Sequence, residues 1–140
     1  MGPIKALVSF LGRALLASLF LASAGMNHIK DFENVTAGMA AKGVPEARYV
    51  HYAAIGCMIV GGVLLLLGFF GRFGAFLLAG FLIGATYYMH NFWTMEGDAM
   101  KAEMFHAMTN ATILGGLLFV LANGSGAGAI DRQKVTMSVQ

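Results

Sequence analysis

The sequence predicts an all-α integral membrane protein, a four-helix bundle with a short interfacial helix between the first and second spans. Its composition is one reason: 58% of the 140 residues are hydrophobic and only 11% are charged, which leaves too little polar surface for a soluble domain of this length. The other is a set of four apolar segments, each close to the ~20 residues that a helix needs to cross a bilayer. The spans cover about residues 7–26, 50–70, 73–90 and 104–122.

The first span has two interpretations. Lys5 and Arg13 precede the apolar run 14–22, and Ala22-Ser23-Ala24 has the small residues of a signal peptidase site, so the segment resembles a cleaved export signal. Cleavage would leave three spans and would place the C-terminus on the other side of the membrane. We favour an uncleaved first span.

The loop after the first span is predicted to contain the short interfacial helix. Asp31 is suited to cap its start, Gly43 supplies a stop, and Pro45 suits the first turn of the helix that follows. The helix is amphipathic and is expected to cover the outer mouth of the bundle. Its apolar face carries Phe32, Val35, Thr36 and Met39.

The second and third spans are predicted to form a hairpin, because Gly71–Gly74 makes a very short connection. Arg72 in this connection is positioned to reach phosphates or the carbonyls at a helix end. After the fourth span, residues 123–140 are predicted to be a flexible tail without chemistry. Short connections and a common core then predict one membrane domain over residues 1–140.

Small residues repeat along each span and predict close packing of the helices. Because no hydrophobic force drives helices together in lipid, association depends on smooth surfaces that allow the backbones to approach. Cys57 is the one cysteine; it excludes an internal disulfide or a dithiol centre and is interpreted as a small filler at a helix contact. The repeats are Ala14, Ser18 and Ala22; Ala53, Cys57 and Gly61; Gly80 and Gly84; and Ala111 and Gly115.

An even number of crossings places both termini on one side of the membrane, and we expect that side to be the cytoplasm of a bacterium, with the chain in its inner membrane. The basic residues divide almost evenly between the two faces, and no dense cluster points to nucleic acid. One face carries Lys5, Arg13, Arg72, Arg132 and Lys134, and the other carries Lys30, Lys42, Arg48 and Lys101.

All four histidines are expected at one edge of the membrane, which we call the histidine edge. His28 ends the first span, His51 opens the second, His90 closes the third and His106 opens the fourth. Polar side chains buried in a bundle need hydrogen-bond partners, and a ligand with carbonyl or hydroxyl oxygens is one source of them. An ordinary interfacial belt of aromatic and histidine side chains is the alternative.

The candidate functional residues lie at this edge. A catalytic residue is not identified, and no metal-ligand set is assigned. The candidate ligand-binding residues are Tyr87, His90, Asn91, Trp93, His106, Asn110 and His51, and the candidate proton-relay residues are Glu96 and Glu103. A histidine, with an ordinary pKa of about 6.5, suits proton transfer near neutral pH.

Several motifs along the chain are typical of one family of membrane proteins. The most specific are the loop Met39-Ala-Ala-Lys-Gly-Val-Pro45 and His106-Ala-Met-Thr-Asn110, followed by Leu114-Gly-Gly-Leu117. Two others are Gly12-Arg-Ala-Leu-Leu16 and Ser23-Ala-Gly25. By these motifs nearly the whole chain resembles the DoxX family. The chain departs from the family pattern at Thr109, where relatives have lysine, and at Ser125, where they commonly have proline.

The resemblance implies a small four-helix membrane protein, associated in some members with a thiosulfate:quinone oxidoreductase and in others with membrane complexes that handle oxidative stress. Three functions are compatible with the residues. The chain is an accessory or quinone-contacting subunit of a membrane redox system, without independent enzymatic activity; or it is a structural packing subunit of a larger complex; or it binds haem or a metal through histidine. The expected partners are the lipid bilayer, other membrane or redox subunits, or a second copy of this chain.

Overall fold

The computed structural model describes residues 2–131, and the end of the predicted tail, including Arg132 and Lys134, lies outside them. Within this part of the chain every regular element is helical. Helix α1 spans Pro3–Ser23 and continues as a π-helical segment over Ala24–Ile29; α2 spans Phe32–Ala41, α3 spans Ala47–Leu67 and α4 spans Gly71–Met89. A 3₁₀ turn at Phe92–Thr94 leads into α5, Gly97–Asn123.

Four helices are long and apolar enough to cross a bilayer, which confirms the predicted number of spans among residues 2–131. They are α1 with its π-helical extension, α3, α4 with the 3₁₀ turn, and α5. The last begins seven residues before the predicted start at residue 104. Asp98, Lys101 and Glu103 make its first two turns polar, so a hydropathy pattern does not include them.

The helices pack in the order α1, α3, α4, α5, and α1 meets α5 only over a short stretch. Leu65, Leu78 and Leu117, one from each of the last three helices, are fully buried where they meet. Helix α1 contributes Ala17 and Phe20 to the same core. The segment that resembles an export signal is therefore a structural member of the bundle.

The closest approach between α3 and α4 depends on two glycines. A Cβ at Gly74 would lie 2.8 Å from the carbonyl oxygen of Gly61, and one at Gly61 would lie 3.0 Å from that of Gly74. The predicted small-residue contact is thus made by Gly61, but its partner on α4 is Gly74. Three other predicted glycines, Gly80, Gly84 and Gly115, have nothing within 4 Å of an added Cβ.

Helix α2 crosses the histidine edge, as predicted. Its Met39 packs with Val44 and Ala47, and Tyr88 and Met89 at the end of α4 pack against this cluster. The loop between spans therefore covers one end of the bundle with apolar side chains.

Two details of this loop differ from the sequence prediction. Asp31 occupies the N-cap position of α2 but forms no cap hydrogen bond; its carboxylate instead accepts a hydrogen bond from the amide of Asn34 at 2.7 Å. Pro45 lies ahead of α3 instead of in its first turn, because Glu46 occupies the N-cap in a left-handed conformation. Gly43, with φ of +81°, ends the α2 turn as predicted.

The α3–α4 connection is also displaced from its predicted position. It occupies residues 68–70, with Gly68 at φ +64° and Phe70 at φ +46°, whereas Gly71–Gly74 already forms the first turn of α4. Arg72 donates a hydrogen bond at 3.2 Å to the carbonyl oxygen of Ala122 at the end of α5. The predicted contact of this arginine with a helix-end carbonyl is confirmed.

The described part of the predicted flexible tail is packed against the bundle. Residues 124–131, which we call the C-terminal strap, fold across the edge opposite the histidines. Ser9 donates a hydrogen bond to the carbonyl oxygen of Ser125 at 3.2 Å, and the Asp131 amide donates one to that of Gly68 at 3.1 Å. Ala129 is only 1% exposed. Gly124, Gly126 and Gly128 all have φ between +72° and +80°, so the glycines that suggested flexibility form a compact loop.

The strap buries Arg13, which was expected at the membrane face. Arg13 is 3% exposed, and its guanidinium and Ala129 of the strap both lie against Gly68. Its Nε donates a hydrogen bond to the carbonyl oxygen of Ser9 at 3.4 Å, while Nη1 has no hydrogen-bond partner among residues 2–131. The guanidinium lies beside the C-terminal end of α3, where the helix dipole favours a cation.

Gly74→Ala is expected to lower the free energy of unfolding by about 1–3 kcal/mol, because its methyl group would lie too close to the backbone of α3 at Gly61. Denaturant unfolding in mild detergent, followed by the fluorescence of Trp93, measures this. Gly115→Ala is the matched control, since it adds the same methyl group where nothing lies within 4 Å. Equal stability of the two variants would contradict the α3–α4 contact.

Gly126→Ala is expected to open the strap, since its Cβ would lie 2.2 Å from Oγ of Ser9. In a Cys57→Ser, Ser125→Cys background, maleimide labelling of the new thiol should become at least about tenfold faster, as expected for local unfolding of the segment. Gly43→Ala is the control, because Gly43 also has a positive φ but nothing lies within 4 Å of its Cβ position. Rapid labelling of the background variant, in which Gly126 is intact, would contradict the packing of the strap against the bundle.

Candidate functional site

A cavity of about 620 Å³ lies between α1, α3 and α4 below the histidine edge. Ligand pockets commonly have volumes of about 300–1,000 Å³, so this one has the size of a site for a small organic molecule. Most of its lining is apolar, including Leu19, Phe20, Phe81 and Leu82. The polar lining residues include His28, His90 and Asn110.

Small residues create much of this space. Ala53 and Cys57 on α3 line the cavity opposite Gly80 and Gly84 on α4. These four were predicted to bring helices into contact, and Cys57 to fill a helix contact. That prediction is wrong for them: the helices touch at Gly61 instead, and nearer the histidine edge the missing side chains leave a void.

The first pair of histidines connects α1, α2 and α3. Nδ1 of His28 and Nε2 of His51 are 2.9 Å apart, and Nδ1 of His51 is 2.7 Å from the hydroxyl of Thr36. The His51 side chain is fully buried, and Phe32 stacks on its ring at 4.4 Å between centroids. His28 lines the cavity, whereas His51 lies behind it as its hydrogen-bond partner.

The second pair connects α4 and α5. Nδ1 of His90 is 2.7 Å from a carboxylate oxygen of Glu103, and the ring of His106 stacks on that of His90 at 5.2 Å between centroids. Only His90 of this pair lines the cavity. The carboxylate accepts a hydrogen bond from Nδ1, so the remaining ring nitrogen, Nε2, is available to another group.

Asn110 is the polar residue that α5 contributes to the cavity. Thr86 donates its hydroxyl hydrogen to the carbonyl oxygen of Leu82 at 2.8 Å, so the hydroxyl must accept the 3.0 Å hydrogen bond from the amide nitrogen of Asn110. This chain fixes the orientation of the amide. The side-chain oxygen of Asn110 has no hydrogen bond within residues 2–131.

The other predicted site residues lie around the cavity and do not line it. Tyr87 and Trp93 pack together, 5.9 Å between ring centroids, in a smaller groove of about 280 Å³ on the other side of α4. Asn91 receives a long hydrogen bond of 3.5 Å from Lys42. Glu96 is exposed at the N-cap of α5 and makes no side-chain hydrogen bond in the described chain. Of the two proposed relay carboxylates, only Glu103 touches a histidine.

Sequence reasoning gave too little weight to His28 and did not include Thr36 in the site. A usable signal was present, because Thr36 lies on the apolar face of α2, which was itself predicted to cover the mouth. A hydroxyl on that face must point into the bundle. Among residues 2–131, no group of three or more histidine, cysteine, aspartate or glutamate side chains is arranged to hold a metal ion.

Comparison with known proteins finds one family model and inner membrane proteins of a bacterium. The family model for DoxX matches residues 8–91. Inner membrane protein YphA of Escherichia coli K12 is 28% identical over 131 residues, which cover 94% of this chain and 91% of the relative. Inner membrane protein YqjF of the same organism is 32% identical over 120 residues, 86% of each chain. No solved structure matches the chain.

These similarities extend over most of the chain and agree with the four apolar helices. The residues matched by the family model include the loop ending at Pro45 and end before the fourth span. The chain is an integral inner membrane protein that belongs to the DoxX family.

Proposed function

We propose that the chain binds a membrane quinone in the cavity below the histidine edge and serves as a quinone-contacting accessory subunit of a membrane electron-transfer system. The observation that carries this proposal is an apolar cavity, within the spans, to which two imidazoles and one amide contribute. A quinone has the matching chemistry, since its ring and tail are apolar and its polar atoms are two carbonyl oxygens.

The size and polarity of the cavity support the proposal. Its volume of about 620 Å³ accommodates a substituted benzoquinone ring and the first part of a tail. The cavity lies between helices that face lipid, so a lipophilic molecule has no need to cross water to reach it. Phe20 and Phe81, edge to face at 6.2 Å between centroids, supply aromatic surface for a flat ring.

Polar groups that are held in place support it further. With Nδ1 bonded to Glu103, a proton on Nε2 of His90 makes the ring a donor to a carbonyl oxygen, and the carboxylate is the counter-ion. Asn110 is held by Thr86 and has one more amide hydrogen to donate. A bound quinone supplies the capacity to accept and release electrons, while these residues position its oxygens and Glu103 exchanges protons with water.

The remaining parts of the proposal concern the surroundings of the site. Every regular element within residues 2–131 is helical, and the sequence has a single cysteine. We assign the electron donor to a partner subunit in the same membrane. An even number of spans supports an arrangement with both termini on one side of the membrane, and we assign that side to the cytoplasm. The histidine edge then faces the other side of the inner membrane.

The purified protein is expected to bind decylubiquinone, a fully substituted benzoquinone that does not add to thiols. Gly84→Leu should weaken binding by at least about tenfold, because Gly84 lines the cavity, nothing lies within 4 Å of a Cβ at this position, and the added side chain would occupy the space of the ligand. Titration in mild detergent, with protection of Cys57 from a maleimide as a second readout, measures the affinity.

Gly115→Leu is the matched control, since it makes the same replacement in an open position outside the cavity. It should leave both the affinity and the protection of Cys57 unchanged. Absence of saturable binding to the unaltered protein, or equal loss in the two variants, would contradict the proposed quinone site.

A further inference from the structure

Four polar groups form a continuous hydrogen-bonded chain that ends at the cavity. It runs from the carbonyl oxygen of Phe32 to the hydroxyl of Thr36 at 2.7 Å, then to Nδ1 of His51 at 2.7 Å. From Nε2 of His51 it continues to Nδ1 of His28 at 2.9 Å. His28 lines the cavity, and its remaining ring nitrogen, Nε2, has no hydrogen-bond partner within residues 2–131.

Counting hydrogens fixes the direction of this chain. The carbonyl of Phe32 can only accept, so Thr36 must donate its single hydroxyl hydrogen to it. The hydroxyl must then accept from His51, which places a hydrogen on Nδ1 of that ring. A neutral imidazole carries one such hydrogen, so Nε2 of His51 is an acceptor.

The same count determines the state of His28. Because Nε2 of His51 accepts, Nδ1 of His28 must donate across the 2.9 Å contact. In the neutral pair, Nε2 of His28 therefore carries a lone pair and no hydrogen. Through three successive hydrogen bonds, the backbone carbonyl of Phe32 thus determines that Nε2 of His28 is an acceptor at the cavity.

We propose that His28 is a hydrogen-bond acceptor site for a ligand hydroxyl, so that the cavity recognises the reduced, dihydroxy form of a quinone by donation of a phenolic O–H to Nε2. This inference rests on the proposed function and deepens it. His28 differs from His90 in its partner, which is the imidazole of His51 and not a carboxylate. When neutral, both rings present a lone pair on Nε2.

The test compares decylubiquinol, kept reduced under argon, with its dimethyl ether, which has no hydroxyl hydrogen. The unaltered protein is expected to bind the quinol at least about tenfold more tightly, because the ether leaves Nε2 of His28 without a partner. His28→Phe should lower this ratio, because the variant has no ring nitrogen at this position to accept the phenolic hydrogen. Thr36→Val should also lower it, since His51 loses the acceptor that holds its hydrogen on Nδ1.

Thr109→Val is the matched control for Thr36→Val. Both hydroxyls donate to a carbonyl four residues earlier, Thr109 to Phe105 at 2.9 Å, but Thr109 makes no hydrogen bond to a histidine within residues 2–131. This variant should keep the full preference for the quinol. A preference that is unchanged in His28→Phe would come from another group of the cavity and would overturn the inference.

A second readout does not require any variant to fold. Two-bond ¹⁵N–¹H correlation spectra of the unaltered protein should show His28 and His51 with their hydrogens on Nδ1. A hydrogen on Nε2 of neutral His28 would overturn the inference.

Binding of decylubiquinone to the unaltered protein distinguishes failure of this inference from failure of the proposed function. If decylubiquinone binds but the quinol and its dimethyl ether bind with equal affinity, only the proposed role of His28 is wrong. If none of the three ligands binds, the proposed quinone site itself is wrong.

Discussion

The contact between Gly61 and Gly74 is the constraint on which the rest of the structure depends. It holds the backbones of α3 and α4 together on the side of the bundle away from the histidines. Nearer the histidine edge the same two helices carry Ala53, Cys57, Gly80 and Gly84, and there they enclose a cavity. In lipid, where packing and not hydrophobicity drives helix association, one close contact allows the adjoining segment to remain open without loss of the bundle.

The polar groups at the histidine edge are arranged in chains that start from backbone or carboxylate acceptors. His51 is anchored by Thr36, and His90 by Glu103, and each chain ends in one free ring nitrogen or amide group beside the cavity. Unpaired polar atoms are costly inside a membrane. Such chains reduce that cost, and they also give each ring a defined direction for hydrogen bonding, which a binding site requires.

The opposite edge is closed by different means. The C-terminal strap covers Arg13, and Asp131 accepts a hydrogen bond from the first amide of α4 at 3.3 Å. Gly68 leaves room for the guanidinium, because a Cβ there would lie 1.8 Å from Nη1. The cavity therefore lies next to the histidine edge, and the C-terminal strap fills the opposite edge of the bundle.

The sequence alone determined the all-α class, the four spans, the short interfacial helix α2 and the gathering of the histidines at one edge, because these follow from hydropathy, helix length and the count of crossings. It did not determine where the helices touch. A small residue is equally consistent with a contact, as at Gly61, or with a void, as at Gly84, and only the relative positions of two helices decide between them. The pairing of His28 with His51, the burial of Arg13 and the folding of the strap depend in the same way on distances between segments far apart in the chain, so the tertiary structure decided them.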